Sequence, residues 1–331
     1  MRIEPELEVF LRGHFPEGTS WTALKGDAST RRFYRIHPPA PPTLILMAYP
    51  DPFLWQQFPL RGIHAHFQAI GVPVPRIERV FPEKGLVLVE DLGDTTLQSA
   101  LLGDPSLERI PLYREAIDII VLLQVRGTRE LAEGAAPRQS ALDEERFLWE
   151  LDHFYKHFVL GYRAARPAPE EEALFRSFFR WLSASLDCPD RVLCHRDFQS
   201  RNLMVTPGGL RVIDYQDARM GPATYDLASL LKDSSLDLEG SLPEDGIRYF
   251  LSRREGLSEE EFREEFDRMT LQRNLKDLGT FGYQVHALEH EEYARYIPRT
   301  LEMVRENLLR HQRYHSLFPL FEKLLFSGST G

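Results

Sequence analysis

The order of hydrophobic patterns along the chain limits its fold more than any other feature of the sequence. Before residue 90, short apolar runs alternate with Gly, Pro and Asp, which is typical of strands joined by tight turns. After residue 92 the apolar residues recur at helical spacing, and one short block of strand-like residues, 191–213, interrupts them. Strands followed by helices predict an α+β fold with a small sheet and a larger helical part.

The pattern predicts two lobes, residues 1–92 and residues 93–331, joined by a hinge at 90–93. The small lobe is expected to contain five antiparallel strands, at 21–25, 32–37, 44–48, 76–81 and 86–90, with helices at 3–13 and 59–70. The larger, mainly helical lobe is expected to contain helices at 97–102, 112–126, 143–158, 170–185, 244–254, 258–278, 290–297 and 299–313, and short strands at 191–194, 203–206 and 210–213. The groove between the lobes is the expected ligand site, because ligands usually bind in such clefts.

Composition and charge argue against several classes of protein. The formal net charge of −10 argues against a nucleic-acid partner, since phosphate backbones are bound chiefly by excess Lys and Arg. The most apolar stretch, 117–125, contains Asp118 and Gln124 and is too short to cross a bilayer, so no membrane partner is expected. Cys188 and Cys194 have neither disulfide-framework nor zinc-site spacing, and the N-terminus lacks a secretory signal pattern, so the chain is expected in the cytoplasm.

The residues best suited to chemistry lie in and just after the strand-like block. Residues 195–202 read His-Arg-Asp-Phe-Gln-Ser-Arg-Asn, and residues 213–217 read Ile-Asp-Tyr-Gln-Asp. Phosphoryl transfer needs a carboxylate that orients the acceptor hydroxyl, and oxygen ligands for a Mg²⁺ ion that bridges nucleotide phosphates. Asp197, Asn202 and Asp214 can supply both. Because each piece falls in the strand or loop context that it requires, this spacing is far more specific than an isolated His-x-Asp.

This segment resembles the catalytic and metal-binding loops of the aminoglycoside phosphotransferase branch of the protein-kinase-like superfamily. The resemblance implies a two-lobed protein-kinase-like fold, a small-molecule kinase activity, and ATP and Mg²⁺ as cofactors. It makes Asp197 the catalytic base or the residue that orients the hydroxyl, and it makes Asn202 and Asp214 the Mg²⁺ ligands. It gives His195 and Asp226 a structural role in holding the catalytic loop.

The nucleotide is expected to bind to the small lobe and the hinge. Residues 26–32, between the first two strands, can present backbone N–H groups and cations to phosphates, as the glycine-rich loop does in kinases. The resemblance makes the hinge the segment whose backbone hydrogen-bonds adenine. The residues expected to bind the nucleotide are Gly26, Ser29, Thr30, Arg31, Arg32, Glu90 and Leu92.

One feature of the kinase pattern is missing. Kinases of this fold carry a lysine on the third strand and a glutamate on the following helix, and this pair positions the phosphates. Here the third strand has Met47 in place of the lysine, and residues 53–74 contain no Asp, Glu or Lys. We expect Arg31 or Arg32 to supply the missing cation, although both could equally be ordinary exposed strand residues.

Further segments narrow the resemblance to one subgroup. They are Gly-Asp-Ala-Ser-Thr-Arg-Arg at 26–32, Gly-Pro-Ala-Thr-Tyr-Asp-Leu-Ala-Ser-Leu-Leu-Lys-Asp at 221–233 and Leu-Gln-Arg-Asn-Leu-Lys-Asp-Leu-Gly at 271–279. They are similar to bacterial anomeric sugar kinases that phosphorylate the C1 hydroxyl of N-acetylmuramate and N-acetylglucosamine in cell-wall recycling. This similarity implies a sugar substrate and a functionally coupled nucleotidyltransferase; the oligomeric state stays open, with a monomer favoured.

The acceptor is expected to contact Gln216, Asp217, Gln272, Arg273 and Lys276. A cationic side chain there would suit the lactyl carboxylate of N-acetylmuramate, although Arg273 and Lys276 could equally form a solvated helix face or brace the catalytic loop. Two other functions stay open. An aminoglycoside kinase would need acidic residues, such as the Glu-rich stretches at 170–172 and 259–265, whose spacing fits exposed helix faces better. A nucleotide-binding pseudokinase is suggested by the missing lysine.

Overall fold

The computed structural model describes residues 4–24, 30–104, 106–238 and 240–326. One antiparallel sheet has the strand order β1-β2-β3-β5-β4, with β1 Ser20–Leu24, β2 Arg32–His37, β3 Leu44–Ala48, β4 Ile77–Phe81 and β5 Leu86–Glu90. The predicted five-stranded antiparallel sheet is confirmed, and β2, β3 and β5 have the predicted bounds. Lys25, the predicted end of the first strand, lies outside the described residues.

The two faces of the sheet pack against different helices, because successive side chains of a strand point to opposite sides. Leu46 belongs to a small apolar cluster with α1, Glu4–His14. Val87 belongs to a larger cluster with Phe67 of α2, Pro59–Ile70. This larger cluster continues into the helical part of the chain, so the inner face of the sheet shares a core with the helices.

The helix α2 begins and ends at the predicted residues. Pro59 lies in its first turn, where the missing N–H costs no helical hydrogen bond. Gly71 follows its last residue with a φ of 90°, in the left-handed region that glycine adopts without strain. The buried residues Leu60, Ile63 and Phe67 lie on one side of α2 and join it to the common core.

The rest of the chain is mainly helical, as predicted. Its helices are α3 Leu97–Gly103, α4 Arg109–Leu122, α5 Thr128–Glu130, α6 Ala136–Gln139, α7 Glu144–Phe154, α8 Pro169–Leu186, α9 Tyr225–Leu231, α10 Leu242–Arg253, α11 Glu259–Leu288, α12 Ile297–Arg310 and α13 Phe318–Phe321. π-Helical segments, Leu123–Gly127, Tyr155–Tyr162 and Glu322–Phe326, extend α4, α7 and α13. Two antiparallel pairs lie among these helices: β6 Val192–Cys194 with β9 Arg219–Gly221, and β7 Leu203–Thr206 with β8 Gly209–Val212.

The helix α11 extends to Leu288, so the predicted end at residue 278 is wrong. Its continuation contains Gly279 and Gly282, and glycine usually weakens a helix by about 1 kcal/mol. A Cβ at Gly279 would lie 2.7 Å from the Cα of Phe154, and one at Gly282 would lie 2.7 Å from the carbonyl oxygen of His157. These glycines therefore allow α11 to pack closely against α7 and its π-helical extension. Although α11 has 30 residues, no helix in the described part of the chain is both long and apolar enough to cross a membrane.

The sequence predicts neither β9 nor α9. β9 spans only three residues, which is too short for an alternating pattern to be recognised. All residues of α9 are buried, so the helix lacks the polar face by which an amphipathic helix is recognised. Both elements nevertheless matter for the site, because they lie directly beside the loop that follows β6.

Candidate active site

The loop predicted to be catalytic, residues 195–202, follows β6 and is held by Asp226. The Asp226 carboxylate is buried in the first turn of α9 and accepts hydrogen bonds from the backbone N–H groups of His195 (2.6 Å) and Arg196 (3.0 Å). Arg196 has a φ of 84°, which residues with a side chain rarely adopt. The two hydrogen bonds thus hold a strained turn that places the next residue, Asp197. Burial raises the pKa of Asp226, although His195 and the backbone donors oppose this rise.

His195 connects this loop to the segment that follows β8. Its ring is buried, with Nε2 3.0 Å from the carbonyl oxygen of Ile213 and Nδ1 3.3 Å from the backbone nitrogen of Asp197. Because the Asp197 N–H donates to Nδ1, Nε2 carries the hydrogen and donates to the carbonyl. Both ring nitrogens are therefore engaged, which supports the structural role expected of His195.

Asp197 is partly buried among cationic side chains. Its Oδ1 lies 3.3 Å from Nζ of Lys276 in α11. Burial alone would raise the pKa of Asp197, but Lys276, Arg196 and Arg273 outweigh burial and hold this pKa well below its usual range. Asp197 is consequently ionised at neutral pH and can accept a hydrogen bond from a hydroxyl group.

Asn202 ties the catalytic loop to the segment around Asp214. Its side-chain N–H donates to the backbone carbonyl oxygen of Asp197 (2.8 Å), and its own backbone carbonyl accepts the N–H of Ile213 (3.0 Å). These bonds bring Asn202 to the same cavity as Asp214. The two predicted metal ligands therefore lie together, one from each loop.

Asp214 is positioned by two side-chain donors. Its Oδ1 accepts hydrogen bonds from Nη2 of Arg31 (2.6 Å) and Nε2 of Gln216 (3.0 Å). With a φ of 63°, Asp214 has left-handed backbone geometry, which costs energy for a residue with a side chain. Strained residues of this kind concentrate at functional sites, and Asp214 is also 36% exposed at the cavity.

Asn202 and Asp214 border a cavity of about 470 Å³ between the sheet and the two loops. Ile45, Met47 and Val89 give it an apolar wall, and residues 90–94, which include the predicted hinge at 90–93, also line it. This volume falls within the range of small-molecule sites, roughly 300–1,000 Å³. Apolar walls with a few converging polar groups are the usual composition of such sites.

The oxygens of Asn202 and Asp214 suit a hard cation such as Mg²⁺. In the described part of the chain, no three His, Cys, Asp or Glu side chains form a group that could enclose a metal ion. Mg²⁺ usually binds proteins through one or two side chains and takes its remaining ligands from water and substrate phosphates. The two residues therefore fit a cation shared with a polyphosphate.

Arg31 and Arg32 have different surroundings. Arg31 precedes β2, has only 13% of its side chain exposed and reaches Asp214 across the cavity. Arg32 and Thr30 are exposed. The neighbouring Gly26 and Ser29, also expected to bind phosphate, lie outside the described residues. Of the two cations that the sequence offers in place of the missing lysine, Arg31 is the one that lines the cavity.

The hinge residues Glu90 and Leu92 both line the cavity. The Glu90 carboxylate accepts hydrogen bonds from Arg211 Nη2 (3.0 Å) and from the backbone N–H of Arg76 (3.1 Å). Burial would raise the pKa of Glu90, but these donors lower it overall. The Glu90 side chain thus fixes the end of β5.

Gln272 and Arg273, expected to contact the acceptor, are both buried in α11. Gln272 Nε2 donates to Oε2 of Glu150 (2.9 Å). Arg273 Nη1 donates to the carbonyl oxygen of Arg196 (3.3 Å), and its guanidinium stacks over Tyr225 at 4.6 Å from the ring centroid. This geometry favours the alternative stated for Arg273, which is to brace the catalytic loop.

The other three acceptor candidates lie nearer to the loops. Lys276 contacts Asp197, and Gln216 contacts Asp214, so each adjoins a residue expected to act in the reaction. Asp217 is 51% exposed, with Oδ2 3.6 Å from Nη1 of Arg196. All three remain candidates for contact with a substrate.

Asp233 is a supporting residue that sequence reasoning missed. It is buried, and its Oδ2 accepts hydrogen bonds from the backbone N–H (3.0 Å) and hydroxyl (2.6 Å) of Ser200, inside the catalytic loop. Its Oδ1 accepts two further hydrogen bonds from Ser235. An aspartate followed by two serines is too common a sequence to have revealed this contact.

His64 is a second residue that was missed. It lies on the buried side of α2, and its Nδ1 is 2.8 Å from the hydroxyl oxygen of Tyr215, the residue after Asp214. Burial lowers the pKa of His64, which favours the neutral ring. The available signal was a histidine on the apolar face of a helix, which usually indicates only a satisfied core residue.

The phosphotransferase enzyme family model matches residues 20–269 of the chain. The N-acetylmuramate/N-acetylglucosamine kinase of Neisseria meningitidis serogroup B is 31% identical to the chain, over 98% of this chain and 96% of that protein. A protein with the same description from Pseudomonas putida is 28% identical, over 94% of this chain and 90% of its own length.

Solved structures share the fold at low sequence identity. Choline kinase from Cryptosporidium parvum superposes with a TM-score of 0.61 and 11% identity, covering 92% of this chain and 97% of that one. The GDP complex of aminoglycoside 2'-phosphotransferase-IIIa gives a TM-score of 0.61 and 12% identity, covering 92% of this chain and 99% of that one. These similarities confirm the predicted protein-kinase-like fold.

Proposed function

The chain belongs to the phosphotransferase enzyme family, and from that premise we propose that it transfers the γ-phosphoryl group of ATP to the anomeric C1 hydroxyl of N-acetylmuramate or N-acetylglucosamine. The relatives described as kinases of these two sugars support the acceptor, since they match nearly the whole chain. The observation that carries the proposal is the Asp197 carboxylate, kept ionised beside Lys276 in the same loop as Asn202, which borders the cavity with Asp214.

The nucleotide would occupy the cavity of about 470 Å³. Its adenine would lie against the apolar wall formed by Ile45, Met47 and Val89, next to the hinge, and its phosphates would extend toward Arg31. When bound, Mg²⁺ held by the two metal-ligand candidates would neutralise part of the phosphate charge. Arg31 would add a fixed cation at the same end.

The acceptor hydroxyl would donate its hydrogen bond to Asp197. Phosphoryl transfer passes through a loose transition state, so the acceptor needs orientation more than early removal of its proton. An aspartate with a lowered pKa suits this role, because it stays ionised and can orient the hydroxyl, while it takes up the proton only late in the transfer. The bond from the sugar oxygen to the γ-phosphorus forms, the bond from that phosphorus to the β-phosphate oxygen breaks, and ADP leaves.

The surroundings of Asp197 do not favour an aminoglycoside acceptor, because a polycationic drug requires an acidic site. Lys276, Arg196 and Arg273 make this environment cationic. The Glu-rich stretches begin instead in the first turns of α8 and α11, where acidic residues stabilise helix N-termini. The cytoplasmic location and the coupled nucleotidyltransferase stay predictions.

Phosphorus NMR of reactions containing ATP, Mg²⁺ and one candidate sugar tests the function directly. We expect a new sugar 1-phosphate resonance with N-acetylmuramate and N-acetylglucosamine, and none with kanamycin. Asp197→Asn should lower turnover by about 10²- to 10⁴-fold while nucleotide binding persists. Transfer to kanamycin alone, or a product phosphorylated away from C1, would contradict the proposed acceptor.

A further inference from the structure

Three arginines from different parts of the chain lie near the start of the catalytic loop. Arg196 precedes Asp197 in the catalytic loop, Arg146 lies in the first turn of α7, and Arg219 begins β9. The positive charges of Arg196 and Arg146 both lower the pKa of Arg219, so the three guanidinium groups lie within electrostatic range of one another. We refer to Arg146, Arg196 and Arg219 as the arginine cluster.

Backbone pairing brings the cluster to the catalytic loop. Arg219 lies opposite Cys194, the last residue of β6, so it adjoins the start of the loop. The backbone N–H of Leu142, just before α7, donates to the carbonyl oxygen of Met220 in β9 (2.7 Å). That bond attaches the first turn of α7, with Arg146, to the same strand. Three separate parts of the sequence thus meet at one edge of the site.

Contacts with Glu150 and Trp149 hold the Arg146 side chain in place and use only one of its nitrogen atoms as a hydrogen-bond donor. Its Nε lies 3.2 Å from Oε1 of Glu150, and its guanidinium stacks over Trp149 at 4.3 Å from the ring centroid. Glu150 is itself fixed by the hydrogen bond from Gln272. In the described part of the chain, the Nη1 and Nη2 groups of Arg146 have no hydrogen-bond acceptor.

The Arg219 side chain is partly buried. Among the described residues it makes no hydrogen bond and no ion pair. Burial lowers the pKa of Arg219, and Arg196 and Arg146 lower it further, while Asp217 and Glu150 offset these effects only in part. Gathering like charges in this way is unfavourable for the folded protein. In a chain with a net charge of −10, such a cluster beside the catalytic loop indicates a site for an anion.

We propose that the arginine cluster binds the carboxylate of the acceptor sugar, with Arg219 and Arg146 donating to its oxygens. This inference rests on the proposed function. N-acetylmuramate is N-acetylglucosamine with a lactyl ether on O3, so the two sugars differ by one carboxylate on the same ring that carries the C1 hydroxyl. In the proposed complex C1 lies at Asp197 and the cluster binds that carboxylate, since a planar guanidinium can form two parallel hydrogen bonds with it.

The test compares kcat/KM for the two sugars in Arg219→Gln. The N-acetylmuramate to N-acetylglucosamine ratio should fall at least about tenfold, mostly through KM for N-acetylmuramate, as expected when one charge-assisted hydrogen bond is lost. Arg146→Gln should shift the ratio in the same direction. Arg180→Gln, an exposed arginine of α8, is the matched control and should leave the ratio within twofold of the wild type.

A second measurement needs only the wild-type protein, so it remains decisive even if a variant fails to fold. The methyl ester of N-acetylmuramate keeps the lactyl group but removes its charge, and its KM should be at least about tenfold higher than that of N-acetylmuramate. Equal KM values for acid and ester, or an unchanged selectivity ratio in a folded Arg219→Gln, would overturn the carboxylate site and leave the kinase proposal standing. Absence of transfer to either sugar by the wild type would overturn the proposed function and the carboxylate site together.

Discussion

The substitution Arg31→Met tests whether this arginine functionally replaces the missing third-strand lysine. Nη2 of Arg31 lies 2.6 Å from Oδ1 of Asp214, and only 13% of the Arg31 side chain is exposed. Met47, in the third strand, lines the same cavity but carries no charge. Methionine at position 31 keeps an unbranched apolar side chain and removes the guanidinium, so the substitution isolates the charge.

The substitution should lower stability only slightly and kcat/KM for ATP strongly. A charge-assisted hydrogen bond contributes about 1.5–3 kcal/mol when both groups are shielded from water. Since the Asp214 side chain is 36% exposed, water can solvate the freed carboxylate, and the free energy of unfolding should fall by only about 1 kcal/mol. Turnover loses both the orientation of Asp214 and a cation for the phosphates, so kcat/KM for ATP should fall about 10- to 100-fold.

The assay is steady-state ADP release at saturating sugar, with ATP varied, and urea unfolding in parallel. Arg32→Met is the matched control, because Arg32 is the next residue in the chain and is exposed. We expect the Arg32 variant to stay within twofold of the wild type. If Arg31→Met also stayed within twofold, or if both variants lost activity equally, Arg31 would not be the replacement for the lysine.

Two further predictions concern stability. Gly279→Ala should destabilise the protein by about 1–3 kcal/mol, because the added Cβ would lie 2.7 Å from the Cα of Phe154, whereas Gly62→Ala in α2 meets open space and should stabilise it by up to about 1 kcal/mol. The melting temperature should fall for Gly279→Ala and rise for Gly62→Ala, and a stabilised Gly279→Ala would refute the close contact between α11 and α7. Burial and neighbouring cations lower the pKa of His153 to about 4, so the unfolded chain binds the proton first and stability should fall by about 1–2 kcal/mol as pH drops from about 6.5 to about 4. Between pH 7 and pH 5, the free energy of unfolding in urea should depend less on pH in His153→Gln than in the wild type. An equal pH dependence in the two proteins would contradict the lowered pKa of His153.

The small lobe could be predicted closely because local residues mark its elements. Pro59 and Gly71 bound α2, and the Pro-Glu-Lys-Gly turn at 82–85 separates β4 from β5. Each of these residues has a strong backbone preference that does not depend on the rest of the fold. The end of α11 was missed for the opposite reason, since Gly279 reads locally as a helix terminator and only its contact with α7 explains its presence in the helix.

The site was predictable to the extent that it is continuous in sequence. Asp197, Asn202 and Asp214 belong to one short segment, and the structure brings Asn202 and Asp214 to one cavity. The contact between Gln272 and Glu150 could not be foreseen, because it joins residues far apart in the chain. Glu150 forms an i, i+4 pair within its own helix, a pattern that usually indicates an exposed face rather than a buried carboxylate.

The missing lysine and glutamate change the charge of the cavity near Arg31 and Asp214. In other kinases of this fold the pair joins the sheet to the helix and carries no net charge. Here the sheet side reaches the metal segment through Arg31 and Asp214, and α2 reaches the next residue through His64 and Tyr215. Because burial lowers the pKa of His64, this contact from α2 is made by a ring that favours the neutral form. The end of the cavity near Asp214 therefore contains the Arg31 cation and no carboxylate from α2, which would favour a polyanion such as the nucleoside triphosphate proposed to bind there.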